Sequence, residues 1–118
     1  MHMNNASTVL ALLLIAVCVG TAVMDFRKPA KLVEEMKKLK VPAERLPLLG
    51  AIKILGAAGL AIGFQRTQLG VLAGVGLCLY FAAATVAHTR VKDTAKDTAP
   101  AFILFVISVL YVLTTVAK

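Results

Sequence analysis

Apolar positions fall into four long runs, 7–23, 48–64, 69–87 and 100–116, each 17 to 19 residues long and together holding one formally charged side chain, Lys53. A helix needs about 20 residues to cross a hydrocarbon core, with a working range of about 17–25. Each run is therefore read as a membrane span. Between the first two runs the pattern changes. Over 30–40, Leu32, Val33, Met36 and Leu39 recur at helical spacing, while Lys31, Glu34, Glu35, Lys37 and Lys38 fill the other side. This segment is too short and too charged to span, and it predicts a helix lying in the interface. Within it, Glu34 and Lys38 stand as an i,i+4 pair in the favourable order. Pro29 suits the first position of this helix, and Pro100 opens the fourth run. The expected fold class is an all-α membrane protein: a four-transmembrane-helix bundle with a short cytoplasmic interfacial helix, residues 1–118 forming one membrane domain.

Composition agrees with the pattern. The chain is 59% hydrophobic with a mean hydropathy of +0.85, against about 45–50% apolar residues in soluble domains. The net charge of +7 matters through its placement. Arg27, Lys28, Lys31, Lys37, Lys38, Lys40 and Arg45 separate runs one and two, and Arg90, Lys92 and Lys96 separate runs three and four. Only Arg66 and Lys118 fall on the other side. Ten cations against two predict cytoplasmic basic loops with the N- and C-termini outside. The basic loops are expected to favour anionic headgroups, and charge placed this way excludes nucleic acid as a partner. The first run lacks the cationic start of a secretory signal, so it is read as an uncleaved span.

Small residues mark where helices pack. Gly56, Gly59 and Gly63 stripe the second run and Gly70 and Gly74 the third. Pairs four residues apart let backbones approach closely in lipid; packing within one bundle and homodimerisation both use such faces. Candidate chemistry is sparse. All six acids, Asp25 included, are assigned to the cytoplasmic loops, which leaves the membrane interior without a carboxylate. The small multidrug resistance transporters, which match in length and span number, carry a Glu in their first span; here that span offers Ser, Thr and Cys. Lys53 is the intramembrane ionisable group, a candidate for function by default. Its side chain leans toward the helix N-terminus, so snorkelling to the inner headgroups or an ordinary ion pair is the competing expectation. Helical spacing gathers Cys18, Lys53, Thr85 and His88 toward the cytoplasmic side of the bundle, as a candidate ligand pocket. With Lys53, His88 could hydrogen-bond a quinone carbonyl or a lipid phosphate. Cys18 and Cys78 have neither Cys-x-x-Cys nor ligand spacing. No metal or haem motif is present.

Three motifs carry a resemblance: Met36-x-x-Leu39-x-Val41-Pro42, Gly50-x-x-Lys53-x-x-Gly56 and His88-x-Arg90. With them the chain resembles the DoxX-like family of small bacterial membrane proteins, over about 25–116. The resemblance implies a four-helix bundle in the bacterial plasma membrane. It also implies an association with quinone-linked redox chemistry, since namesake relatives accompany a thiosulfate:quinone oxidoreductase. The bundle is similar as well to the vitamin K epoxide reductases, whose Cys-x-x-Cys this chain lacks. Three readings follow: an accessory or lipophile-binding component, attached to a larger membrane complex or to a second copy of itself; a quinone-linked oxidoreductase subunit; and a small transporter. The expected ligand is a quinone or a lipid, and the catalytic residues and cofactor are unassigned.

Overall fold

The computed structural model describes residues 2–117. Lys118, counted above among the outward charges, lies outside the described residues. Five α-helices follow one another: α1 (Asn5–Arg27), α2 (Ala30–Lys38), α3 (Leu46–Ile62), α4 (Thr67–Arg90) and α5 (Ala95–Val116), with a 3₁₀ turn, Ala43–Arg45, leading into α3. Among the described residues there is no strand. Four helices, the 3₁₀ turn counted with α3, are long and apolar enough to cross a membrane. The molecule is 43 Å in its longest dimension, which matches a bilayer of about 40–45 Å including headgroups. Leu55, Leu72 and Leu79 are each more than 65% exposed; a lipid phase suits such side chains where water would not.

Local chemistry sets where the helices begin and end. Asn4 caps α1 reciprocally: its side chain accepts from the Ser7 N–H, and its own N–H donates to Ser7 Oγ at 2.7 Å. Asn4 Nδ2 also donates to the Thr114 carbonyl, tying the start of α1 to the end of α5. α5 begins at Ala95, five residues before the apolar run, because Thr94 Oγ1 accepts from the Asp97 N–H and caps it there. Pro100 therefore sits inside α5. At the end where α5 begins, Lys28, Lys40 and Lys92 take left-handed backbone conformations that close α1, α2 and α4.

The spanning helices form a ring in which α1 packs on α3, α3 on α4, α4 on α5, and α5 back on α1. The core holds Ala11, Leu14, Cys18, Ala57, Leu60, Leu77, Phe81 and Tyr111. Glycines set the closest approaches. A Cβ on Gly63 would stand 2.6 Å from the Gly70 Cα, and one on Gly59 would stand 2.6 Å from the Ala73 Cβ. A Cβ on Gly56 would strike Leu77, and on Gly74 the Tyr111 ring; one on Gly70 would strike the Tyr111 hydroxyl. These glycines thus seat α3 on α4 and α4 on α5 within one chain.

α2 lies outside the ring and is tied to it by polar contacts. Lys38 pairs with Asp93, and with Asp97 at 3.4 Å. Arg90 Nη2 donates to the Leu39 carbonyl at 2.8 Å. The expected Glu34–Lys38 pair is not formed, because Lys38 turns from its own helix toward two carboxylates on the loop before α5 and on α5 itself.

Candidate functional site

The polar centre of the bundle is an ion pair between α1 and α3. Lys53 Nζ lies 2.8 Å from Asp25 Oδ2, with side-chain exposures of 10% and 6%. Its origin can be followed along both helices. α1 stays helical past the apolar run to Arg27, so Asp25, seven residues after Cys18, keeps the inward face. Gly50 brings α1 close: a Cβ there would lie 3.2 Å from the Asp25 Cβ. Lys53, one turn further along α3, leans back toward the helix N-terminus and meets the carboxylate. Asp25, assigned from the sequence to the loop after the first run, stays on α1 and is buried against α3. Lys53 leans in the expected direction, but it ends on Asp25, not among headgroups. The Tyr80 ring faces the ammonium at 5.8 Å from its centroid, a cation–π distance. A buried pair of this kind balances a large desolvation cost with mutual attraction and is not by itself a source of stability.

A second polar cluster lies at the same end. His88 Nδ1 is 2.7 Å from Asp93 Oδ2, and Asp93 also receives Lys38. The hydrogen bonds from Lys38 and His88 hold the Asp93 carboxyl down at about 2, and the same bond raises the Lys38 ammonium above its ordinary value. Asp93 is then ionised at neutral pH and can only accept. The proton of a neutral His88 must sit on Nδ1, which leaves Nε2 as a bare acceptor.

Beside this cluster a groove of about 270 Å³ opens between α2, α3 and α4, lined by Met36, Leu39, Leu49, Tyr80, Ala84 and His88 among others. Of the four residues expected to share a pocket, His88 lines this groove. Lys53 is engaged beneath Tyr80. Cys18 is fully buried in the core, and Thr85 turns its hydroxyl back to donate to the Phe81 carbonyl at 2.8 Å. Sequence reasoning missed Asp25 as the partner of Lys53, Tyr80 as the ring between the pair and the groove, and Asp93 as the partner of His88. The first was legible, since Asp25 shares a helical face with Cys18; the other two depend on how loops and helices meet. Both cysteines are free thiols. Among the described residues no three His, Cys, Asp or Glu side chains gather as a metal site would need.

The family model for the DoxX-like family matches residues 9–111. Neither the curated proteins nor the solved structures held a match. The matched stretch takes in most of the four apolar helices, the Asp25–Lys53 pair and the whole of the His88 groove, and the chain belongs to the DoxX-like family.

Proposed function

We propose that this protein is a lipophile-binding accessory component of a bacterial plasma-membrane complex, with both termini outside and the basic loops in the cytoplasm. One observation carries the reading. Lys53 and Asp25, the charged groups of the bundle centre, are paired with each other, while the open space near them is an apolar groove with an imidazole at its edge. That arrangement suits holding an apolar molecule that arrives from the lipid, since ligand sites are mostly apolar with a few placed polar groups.

A quinone-linked redox role is the second reading, favoured by His88. With Asp93 fixing the tautomer, Nε2 accepts from a quinol hydroxyl; once protonated, the same nitrogen donates to a quinone carbonyl. Lys53 would act on such a ligand through its field across Tyr80. The transporter reading gains a buried carboxylate in Asp25, but that carboxylate already has Lys53 as its partner.

The reading is tested by filling the groove. Ala83 lines the groove and is exposed outside the core, so Ala83→Trp occupies the groove without disturbing the bundle interior. Native mass spectrometry of protein extracted gently from its own membrane should find a lipophile on the wild type and at least tenfold less on the variant. Equal retention by both would remove the groove as the binding site.

A further inference from the structure

We infer that the groove is a site for one anionic phospholipid, with its phosphate held by Lys40, Arg45 and Arg90 and an acyl chain lying along Ala83, Ala84 and Ala87. This inference rests on the lipophile-binding reading and names the ligand.

The apolar groove continues into a second cavity of about 280 Å³ whose walls include Lys40, Arg45 and Arg90. Val41 and Leu49 line both, so the two spaces adjoin. One end is thus hydrocarbon and the other cationic. The junction falls at Leu48 and Leu49, where the long apolar run of α3 begins just after Arg45. That is the order of parts in a phospholipid standing in a leaflet.

The three cations are available. Among the described residues every ion pair at this end uses other groups: Lys38 takes Asp93 and Asp97, Lys53 takes Asp25, and His88 takes Asp93. Glu44, next to Arg45 in the 3₁₀ turn, is exposed and pairs with none of the three. The cations are also positioned. Lys40 is set by its left-handed backbone at the end of α2, and Arg90 by its hydrogen bond to the Leu39 carbonyl. Guanidinium groups match phosphate oxygens in fork geometry, and basic pockets between membrane helices recognise anionic headgroups. A zwitterionic lipid offers the same phosphate, but its ammonium would face three cations with which no carboxylate is paired. A quinone would leave the basic cavity without a counter-charge.

The test uses the full-length protein in detergent, exchanged against dioleoylphosphatidylglycerol or dioleoylphosphatidylcholine and read by native mass spectrometry. The wild type should retain one phosphatidylglycerol and at least tenfold less phosphatidylcholine. Lys40→Gln with Arg45→Gln should lower phosphatidylglycerol retention at least tenfold. Lys31→Gln with Lys92→Gln, an equal change of charge away from the groove, should leave it unaltered. Equal losses in the two double variants would reduce the effect to general surface charge and overturn the site. Equal retention of the two lipids, or a quinone found in their place, would overturn the headgroup assignment while leaving lipophile binding intact. A wild type that retains no lipophile at all would overturn both. All four substituted positions are exposed, and unchanged helical circular dichroism verifies that the variants fold.

Discussion

Asp25 and Lys53 each cost free energy to bury, and each is tolerable because the other is there. Removing one partner of a buried pair typically costs about 3–5 kcal/mol, whereas replacing both with apolar residues is often neutral or stabilising. Asp25→Asn should therefore lower the thermal midpoint in detergent sharply, and Asp25→Leu combined with Lys53→Met should restore it to near or above the wild type. Circular dichroism melts of the three proteins decide this. An Asp25→Asn midpoint equal to the wild type would mean that the ammonium finds another partner. At this scale much was legible in the sequence. Lys53 stood out as the one charge in four apolar runs, and Asp25 lay on the same helical face as Cys18. Whether Lys53 would meet a headgroup or a carboxylate was not legible. That depended on how closely α1 approaches α3, which Gly50 permits.

α2 is the element whose placement depends most on charge. No residue from Ala30 to Lys38 is fully buried; the strap is held by Lys38 on Asp93 and Asp97 and by Arg90 on the carbonyl of Leu39. Asp93 is held at about 2, below the ordinary 3.8. A carboxyl with a depressed folded value contributes stability above its unfolded value and loses it as pH falls through the folded one. The contribution of Asp93 should thus be complete above about pH 5 and mostly lost as pH falls through about 2. Amide exchange of 30–40, corrected for intrinsic rates, should rise between pH 5 and pH 2 in the wild type. Asp93→Asn should exchange fast already at pH 5; slow exchange there would show that α2 is held without Asp93, by Asp97, Arg90 and its apolar contacts. The amphipathic pattern announced this helix, and its spacing announced a local Glu34–Lys38 pair. The tertiary partners won, because two carboxylates converge on one ammonium when α2 folds back against the start of α5.

For the whole molecule, the proposed orientation makes a direct prediction. Of single-cysteine variants in a background lacking Cys18 and Cys78, Ala117→Cys should react with an impermeant maleimide in intact cells, and Lys37→Cys only after the cells are opened. The reverse result would invert the topology and place the groove on the outer leaflet. The sequence by itself determined the fold class, since four runs of 17 to 19 apolar residues match the length of a spanning helix, which satisfies its backbone groups within one segment in lipid. It also marked a face on which those helices pack: Gly70 and Gly74, one turn apart on the third run, are buried on α4. Only the tertiary structure decided which polar groups meet and where space is left between them. Asp25 with Lys53, Asp93 with His88 and Lys38, and the groove leading to Lys40, Arg45 and Arg90 each join residues from different helices or loops. Helical periodicity orders side chains around one axis, but it carries no information about the distance or rotation between two axes. Those are set when glycine faces close and the strap docks.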